Sequence, residues 1–549
     1  MTSIPGRNRS AGVDALWLAA IALLSAIPYV TGLGFYSDDW GLLPIFQSGA
    51  VHALSGFQAR PVQGLYLLLL FKLFGLEPLG YHVVNALVIA ASGPLLYLLL
   101  LRIGIRRPEA FSSALLFLLL PQLSTVRVWY AAFQIPMALL LMLLSMHAQL
   151  SFERSGRARW LLIAIGAALL SLFSYEIFAP MIAAFAVGLA IVRWRKGERR
   201  AGASLPRTAW VAAAVLILVI AAAIWKALVS GRTGPMGDPE RYWRGLHQLV
   251  RLDYDWRVDG GLNIFAALLV HFWFTLRGWA EAAAGPMSGA SGPLITTIAI
   301  AIAALAFWRL HVRSANEAFS ANPIRLMLAG TAAFVLGHAP FLIVPWIRFS
   351  PSGLGNRTLV AAAIGVAMII VAAVAYAVRA VPARYRGQAF ALAIAILAFG
   401  ATARVEQIDR YWAEAPALQR QVLIAAKKDL RWVPAGSTII LDGVCPYHGP
   451  AVVFETSWDV GGALSLTLGR YVLGDTVSPR MSATPSGLRT SMYKEPTSYP
   501  YAANLFVYDP RAHRTVTLDS AAAAERYFNG GGRQPLDCPI SYLSQGVPV

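Results

Sequence analysis

Long apolar runs, separated by short segments rich in arginine, constrain this chain more than any other feature of its sequence. A bilayer core is about 30 Å thick and a helix rises about 1.5 Å per residue, so a spanning helix needs about twenty apolar residues. Hydrophobic residues make up 57% of the 549 residues and charged residues only 13%. Soluble domains carry about a quarter charged residues. The sequence therefore predicts a polytopic membrane protein.

The positions of the arginines predict how these runs are oriented. Lys and Arg collect in cytoplasmic loops, so short basic segments are expected on the inner side. The net charge of +18 therefore reflects loops near anionic lipid headgroups and not a nucleic-acid partner. The polar head, residues 1–12, and the most basic loop, residues 193–207, are expected to be cytoplasmic. The runs predicted to span are eleven in number: 15–30, 80–101, 110–126, 135–152, 160–175, 178–192, 209–228, 294–308, 326–346, 359–378 and 388–403.

Two further apolar runs, residues 61–75 and 262–284, are interpreted as helices that do not cross the bilayer. The first is shorter than the roughly twenty residues that a span needs. Counting either run as a span would also place an arginine-rich segment, 102–107 or 309–313, on the outer side. We therefore expect juxtamembrane helices here. The protein is expected to be a multi-pass component of the inner (plasma) membrane, with a cytoplasmic N-terminus and an extracytoplasmic C-terminus.

The sequence becomes more polar after residue 403, which predicts a second domain. Residues 1–403 are expected to form the all-α membrane domain, and residues 404–549 a small α/β domain outside the membrane. Short apolar runs bounded by Gly, Pro and Asp are typical of strands and turns. The predicted elements are a helix over 412–430, strands over 437–441 and 451–455, and a hairpin of 504–508 with 515–518.

The only two cysteines, Cys445 and Cys538, both fall in the predicted outer domain. An oxidising outer compartment permits a disulfide between them. The alternative is a pair of buried thiols, which the sequence leaves open.

An acidic loop follows the first apolar run, with the sequence Phe35-Tyr36-Ser37-Asp38-Asp39-Trp40. An ionised carboxylate near hydrocarbon needs a cation, a metal, water or a substrate proton beside it. One interpretation is a carboxylate, Asp38 or Asp39, that acts on a membrane-embedded substrate. The other is a solvated loop in which one of the two caps the first N–H groups of an interfacial helix.

Further polar residues are expected on the same outer face if the predicted topology holds. Arginine suits a phosphate at this depth, because it stays charged and offers a bidentate fork. Carboxylates and arginines together would suit the deprotonation of an acceptor hydroxyl beside a lipid-linked phosphate. The residues concerned are Arg60, His82, Arg127, Tyr130, Gln134, Tyr175, Glu176, Arg348 and Arg357.

Most of these residues also have an ordinary structural explanation. Arg60 would serve equally as an interfacial anchor, with its charged end at the headgroups. Glu176 would pair with a structural arginine, His82 would pack at a helix start, and the loop arginines would be external surface charges. Arg357 differs from them, because a cation at the start of a helix is unfavourable unless an anion lies there.

Five short motifs, and the order in which they occur along the chain, resemble the pattern of the GT-C glycosyltransferases. The resemblance is to bacterial relatives of the protein O-mannosyltransferases and of the TMTC-type enzymes in particular. The resemblance covers about residues 14–403. Two positions depart from the pattern: Tyr175 stands where a Lys precedes the Glu, and Thr358 stands where an aromatic residue follows the Arg. The motifs are Ser37-Asp38-Asp39-Trp40, Arg60-Pro61-Val62, residues 74–82 ending in Tyr81-His82, Tyr175-Glu176 and Asn356-Arg357.

The resemblance implies a GT-C-like fold and a site on the outer face of the membrane. It implies that Asp38 or Asp39 is a general base or binds the acceptor, and that Arg60 and Arg357 contact the lipid phosphate. His82 and Glu176 match further polar positions of the donor region. The implied reaction is inverting transfer of a sugar from a polyprenyl-phosphate donor to an envelope glycan, lipid or protein.

Other functions stay open at this stage. A divalent cation at Asp38 and Asp39 is conceivable, since two carboxylates suit a hard cation, but no His/Cys ligand spacing demands a metal. A transporter or flippase for a lipid-linked glycan would carry polar residues through the depth of several spans. A non-catalytic scaffold for envelope assembly would keep the fold with an inactive first loop. The crowding of charges at the outer rim favours the enzyme over the transporter.

Overall fold

The protein is mostly helical, and its helices follow the predicted apolar runs closely. The computed structural model describes residues 5–195, 207–230, 247, 251, 267–284, 292–316, 323–342, 349–477, 481–492, 495–530 and 538. The first eleven α-helices are α1 (Pro5–Leu24), α2 (Asp38–Ser48), α3 (Ala50–Ser55), α4 (Pro61–Phe74), α5 (Pro78–Arg102), α6 (Arg107–Leu119), α7 (Ser124–Val128), α8 (Gln134–Ser155), α9 (Ala158–Ser174), α10 (Ala179–Arg195) and α11 (Arg207–Ser230). They are followed by α12 (Phe274–Ala284), α13 (Gly292–Asn316), α14 (Pro323–His338), α15 (Val360–Ala377), α16 (Arg386–Asp429), α17 (Ser457–Leu468) and α18 (Ala521–Phe528).

Within these described ranges, eight helices are long and apolar enough to cross a membrane. A ninth span is formed if α6 and the segment Pro121–Val128, which bend by 51°, are counted together. The predicted spans 15–30 and 160–175 correspond to the shorter apolar helices Ser10–Leu24 and Ala158–Ser174. Every predicted span therefore falls on an apolar helix, and the prediction of a multi-pass membrane protein is confirmed. The orientation in the membrane stays a prediction.

The two runs interpreted as partial helices are short helices in the structure. The first is α4, whose proline Pro61 occupies the first helical position, where its missing N–H costs nothing. The second comprises a π-helical turn, Leu269–Trp273, and α12. The start of this second run, residues 262–266, lies outside the described residues.

Helix α16 joins the membrane region to the C-terminal part of the chain. It runs for 44 residues, so the predicted domain boundary at residue 403 falls inside it, and the predicted helix 412–430 corresponds to its last part, which ends at Asp429. The composition becomes more polar at residue 403 because the helix is no longer apolar beyond that point. The helix itself continues, because a change in composition does not require a helix to end. The division into two domains at this position stays a prediction.

The C-terminal part of the chain is an α/β unit, as predicted. Strand β1 (Thr438–Leu441) lies between β4 (Leu473–Thr476) and β8 (Leu505–Asp509) and runs parallel to both. Strand β9 (Arg514–Thr517) pairs antiparallel with β8, which confirms the predicted hairpin. The predicted strand 451–455 is reduced to β3 (Ala451–Val452), paired with β2 (Tyr447–His448). A second sheet contains β5 (Ser482–Thr484), β6 (Gly487–Met492) and β7 (Glu495–Pro500).

The predicted disulfide is confirmed. Cys445 and Cys538 are bonded, with their Cα atoms 5.5 Å apart, and the two residues are separated by 93 positions in the sequence. The alternative of two buried thiols is therefore wrong. In the chain-entropy account, closing a loop of this length stabilises the fold by up to about 4–5 kcal/mol.

Helix α17 of the α/β unit packs directly on α2, the helix that begins in the acidic loop. Two glycines allow this close approach. A Cβ on Gly462 would lie 2.1 Å from the carbonyl oxygen of Trp40, and a Cβ on Gly41 would lie 2.1 Å from Nε1 of Trp458. Backbone and indole therefore occupy the space that larger residues would need, and the α/β unit is seated on the acidic loop.

Candidate active site

Asp39 holds the acidic loop in place. Its buried carboxylate accepts a hydrogen bond from the N–H of Tyr36 at 2.9 Å and another from the N–H of Ala131 at 2.7 Å. Burial raises the pKa of Asp39 well above its usual range, the charge of Asp38 adds to this, and the two N–H donors counteract it. With both oxygens engaged by backbone, Asp39 ties the loop to the chain that precedes α8.

Asp38 differs sharply from its neighbour. It is the first residue of α2, and its side chain is exposed. Within the described residues its carboxylate has no hydrogen bond or ion pair. The protein packed around it raises the pKa of Asp38, and the charge of Arg357 opposes this rise.

Arg357 supplies a positive charge near Asp38. Its guanidinium carbon lies 4.6 Å from the centroid of the Trp129 ring, which is a cation–π contact. One of its nitrogens donates to the carbonyl of Leu354 at 3.4 Å. The indole N–H of Trp129 donates to the carbonyl of Tyr36 at 3.0 Å, which connects the arginine to the acidic loop. Among the described residues Arg357 has no carboxylate at ion-pair distance, so it is a half-buried cation available to an anion.

His82 and Asn85 support this region from α5. The Nε2 of His82 donates to the carbonyl of Gly34 at 3.0 Å, just before the acidic loop, and its ring packs edge-on against Phe133. The side-chain amide of Asn85 donates to the carbonyls of Val126 at 2.8 Å and Arg127 at 3.1 Å. These bonds fix the loop and α7 to the same helix. His82 is therefore placed as a support of the loop.

Arg60 belongs to a second charged cluster, with Glu176. The Nη2 and Nε of Arg60 bind the two Glu176 oxygens at 2.5 Å and 3.0 Å, and its guanidinium lies 4.4 Å from the ring centroid of Tyr175. Lys226 of α11 binds the same carboxylate at 2.5 Å. Two cations therefore share one carboxylate beside an aromatic ring.

Lys226 was not among the residues predicted from the sequence. A lone lysine near the end of an apolar run is itself a signal, because ionisable residues in spans are rare and pair with one another. Its Nζ donates to Glu176 from α11, so the contact joins α11 to the turn that precedes α10.

Arg127 is a buried residue of the helix bundle, which corrects its predicted place in an exposed external turn. Its guanidinium donates to the hydroxyls of Ser25 and Tyr29, each at 3.2 Å, and to the carbonyl of Leu118. The buried carboxylates Glu406 and Asp409 of α16 act on its charge. The hydrogen bonds of Arg127 therefore join α7 to α6 and to the segment that follows α1.

The remaining predicted residues have varied positions. Tyr130 is buried, and its hydroxyl donates to the carbonyl of Leu67 in α4. Gln134 is buried at the start of α8. Arg348 lies outside the described residues. A recess between the end of α1 and α5 is lined by Tyr29, His82 and Arg127 among others, but neither Asp38 nor Arg357 lines it.

Residues of the α/β unit complete the surroundings of the acidic loop. The Ser37 hydroxyl donates to the buried Glu455 carboxylate at 2.8 Å, and the Tyr447 hydroxyl donates to its other oxygen. The Tyr36 hydroxyl donates to the carbonyl of Trp412 in α16, and the two rings meet edge-on with centroids 4.8 Å apart. None of these partners was predicted, since each is separated from the loop by several hundred residues.

A divalent cation at Asp38 and Asp39, which the sequence leaves open, does not fit this arrangement of carboxylates. Both oxygens of Asp39 face N–H donors, which a cation would repel, so Asp38 would be left as a lone carboxylate ligand. Among the described residues no group of three or more His, Cys, Asp or Glu side chains is placed to hold a metal ion. A hard cation such as Ca²⁺ takes six to eight oxygen ligands, by the usual range.

The fold and the site together define a multi-pass membrane protein in which an α/β unit is seated on an exposed carboxylate near an arginine. The sequence matches no family model and no curated protein. Among solved structures, the chain is similar to the apo oligosaccharyltransferase of Archaeoglobus fulgidus, with a TM-score of 0.39, 13% identity, and coverage of 84% of this chain and 64% of that one.

Two further solved structures show a similarity of the same degree. ArnT from Cupriavidus metallidurans, bound to undecaprenyl phosphate, gives a TM-score of 0.35 and 15% identity over 86% of each chain. AglB from Archaeoglobus fulgidus, in complex with an inhibitory peptide and a dolichol-phosphate, gives a TM-score of 0.36 and 13% identity, covering 84% of this chain and 64% of that one. This chain thus spans less than two thirds of the length of the archaeal proteins.

Proposed function

We propose that the protein is a GT-C-type membrane glycosyltransferase. It would transfer a sugar from a polyprenyl-phosphate donor to a hydroxyl of an envelope glycan, lipid or protein, on the outer face of the membrane. The observation that carries the proposal is the nearness of Asp38 to Arg357, whose charge acts on the carboxylate although the two side chains form no ion pair. One is an exposed carboxylate with no partner, and the other is a half-buried cation with no carboxylate partner, within the described residues.

Asp38 is the general base of the proposed reaction. It takes the proton of the acceptor hydroxyl while the hydroxyl oxygen attacks the anomeric carbon of the donor sugar. The bond from that carbon to the phosphate oxygen breaks, and polyprenyl phosphate departs with the electron pair. A single displacement of this kind inverts the anomeric carbon. A raised pKa makes Asp38 a stronger base than an ordinary aspartate, which favours proton transfer near neutral pH.

Arg357 stabilises the departing phosphate in this mechanism. Negative charge grows on the phosphate as the sugar leaves, and a guanidinium already fixed in position stabilises it without reorganising. The Trp129 ring holds the guanidinium through the cation–π contact. Arg60, with Tyr175, Glu176 and Lys226, is proposed to bind the donor as well, through its cluster of two cations around one carboxylate.

A transporter of lipid-linked glycans is the second candidate. The observation that favours it is the buried group of Arg127, Glu406 and Asp409, because ionisable residues inside a helix bundle can mark a transport pathway. This group contacts neither Asp38 nor Arg357 through any bond that the described residues make. The transporter hypothesis therefore does not explain why the Asp38 carboxylate is exposed near an arginine.

A transfer assay separates the two candidates. Purified protein in lipid is given a panel of radiolabelled polyprenyl-phosphate sugars together with an envelope extract as the source of acceptors. We expect transfer from at least one donor by the wild type and by Asp519→Asn, which changes an exposed aspartate of the α/β unit. Asp38→Asn should lose transfer. Undiminished transfer by Asp38→Asn, or movement of the donor across the bilayer with no transfer, would contradict the proposal.

A further inference from the structure

Trp458 is an exposed aromatic residue at the edge of the candidate site. It lies in the first turn of α17, and 46% of its surface is accessible. Asp459 fixes this turn, because its carboxylate accepts from the N–H groups of Glu455 at 2.8 Å and Thr456 at 2.9 Å. Together with the Thr456 side chain it forms a capping box. The indole therefore projects from a rigid helix start.

The indole of Trp458 lies against the same face of α2 that carries Asp38. A Cβ on Gly41 would lie 2.1 Å from the indole Nε1 and 2.2 Å from Cε2, so the ring rests directly on that glycine. Asp38 and Gly41 are three residues apart in one helix, and residues at this spacing are neighbours on the helix surface. An exposed aromatic ring and an exposed, unpartnered carboxylate are thus adjacent.

The two elements that bear these groups are fastened together. Ser37, which precedes Asp38, donates to Glu455, which precedes Trp458 by three positions. Gly462 of α17 also meets the backbone of α2 at Trp40. The ring is therefore held at a fixed position relative to the carboxylate.

Trp458 also has a free face. Among the described residues it makes no ring-to-ring contact. The exposed Trp432 of the same unit, by contrast, packs edge-on against Phe506 with centroids 5.2 Å apart. A large, rigid aromatic surface offers contact area at a low cost in conformational entropy. One face of a sugar ring presents C–H groups, which pack on such a surface, while its hydroxyls extend sideways.

We propose that Trp458 forms the acceptor subsite, where a carbohydrate ring stacks on the indole and presents a hydroxyl to Asp38. The inference rests on the proposed function and narrows the acceptor to a glycan or a glycolipid headgroup. It gives the α/β unit a direct part in substrate binding. In this proposal Trp458 binds the acceptor, Arg357 binds the donor phosphate, and Asp38 takes the acceptor proton.

The test replaces the ring and measures binding of each substrate separately. Trp458→Leu keeps an apolar side chain but removes the aromatic face, and Trp458→Phe keeps a smaller face. The matched control is Trp432→Leu, an exposed tryptophan of the same unit. The measurements are the KM for acceptor and the affinity for undecaprenyl phosphate, with a panel of short oligosaccharides and serine-containing peptides as acceptor probes.

We expect Trp458→Leu to raise the acceptor KM about tenfold, the size expected from losing an aromatic packing interaction. Trp458→Phe should raise it less, while Trp432→Leu and all lipid affinities should stay at the wild-type value. An unchanged acceptor KM in Trp458→Leu would overturn the proposal. Transfer by the wild-type protein to the peptides but to none of the oligosaccharides would also overturn the proposal. Failure of the proposed glycosyltransferase function can be distinguished from failure of the Trp458 proposal, because the wild-type protein would then transfer sugar to none of the acceptor probes.

Discussion

The hydroxyl of Ser37 donates a hydrogen bond of 2.8 Å to the carboxylate of Glu455, a residue 418 positions further along the chain. Ser37 has a φ of 45°, which is uncommon for a residue other than glycine and is typical of strained functional loops. The bond to Glu455 stabilises this backbone conformation, and Asp38 is the next residue in the sequence. The α/β unit therefore fixes the geometry of the carboxylate that we propose as the base.

Replacement of Ser37 should separate the hydrogen bond from the backbone strain. Ser37→Ala loses the bond to the buried Glu455 carboxylate and keeps a side chain at positive φ, so it should destabilise the protein by about 1–3 kcal/mol. Ser37→Gly loses the same bond but removes the conformational strain, so it should destabilise less. Thermal unfolding of the purified proteins measures the difference. A larger loss of stability in the glycine variant would contradict this account of the loop.

The two adjacent aspartates should respond differently to the same substitution. Asp38→Asn removes the proposed base and should lower transfer by about 10²–10⁴-fold, without lowering the melting temperature. Asp39→Asn turns an amide group toward a backbone N–H donor in a buried site and should lower the free energy of unfolding by about 1–3 kcal/mol. Transfer rates and unfolding curves of both variants make the comparison. The reverse pattern would exchange the roles of Asp38 and Asp39.

The sequence predicted the elements of this site better than their connections. Apolar runs fix the helices, because each run must hide its backbone polar groups from lipid. The acidic loop and Arg357 are local signals at the ends of such runs. The N–H of Ala131 binds Asp39 and not Asp38, and this decides which of the two carboxylates is engaged by the backbone. Glu455 holds the acidic loop through its bond with Ser37. Both partners are distant in sequence and invisible to any local pattern.

Arg127 illustrates the opposite error. An arginine between two apolar runs looks like a loop charge, yet the chain bends there and α7 carries it into the bundle. Its partners include Tyr29 from the end of the first run and two carboxylates of α16. No spacing rule links these segments. Only the packing of the helices brings them together.

Binding of a lipid phosphate should depend on the guanidinium groups of Arg60 and Arg357. Gln at either position should weaken binding of undecaprenyl phosphate by about 10–150-fold, since a hydrogen bond to a charged group contributes about 1.5–3 kcal/mol. Lys keeps the charge but loses the planar fork, so it should weaken binding less. The control is Arg384→Gln, which removes an exposed arginine also stacked on an aromatic ring, that of Tyr385 at 4.6 Å. Equal affinity in all the proteins would contradict the donor site.

The predicted orientation of the membrane region is testable with single cysteines. Gly202→Cys, at a position of the basic loop that lies outside the described residues, should resist an impermeant thiol reagent in intact cells. Ala512→Cys, in the exposed turn between β8 and β9, should react, because the α/β unit is expected outside the membrane. Both variants keep Cys445 and Cys538, whose disulfide protects them from the reagent. Labelling of the cysteine at position 202 alone would invert the proposed topology.

The pH dependence of the transfer rate should report the pKa of Asp38 and the effect of the Arg357 charge on that pKa. A base must be ionised, so the rate should fall as the pH is lowered through the pKa of Asp38. Because that pKa is raised by the surrounding protein, the fall should occur at a higher pH than an ordinary aspartate would give. Arg357 holds the pKa down, so Arg357→Gln should move the fall to still higher pH, and Arg357→Lys should leave it nearly in place.

Unfolding at low pH offers a competing explanation of such a profile, and the sign of the linkage separates the two. A carboxyl whose pKa is higher in the folded protein binds its proton more tightly there. The contribution of Asp38 to stability is therefore complete below its ordinary pKa and declines as the pH rises through the raised value. Acidification in this range makes Asp38 more stabilising, so loss of transfer with an unchanged melting temperature would mark titration of the base. A fall in rate that follows the melting temperature, with the same midpoint in Arg357→Gln, would refute the assignment.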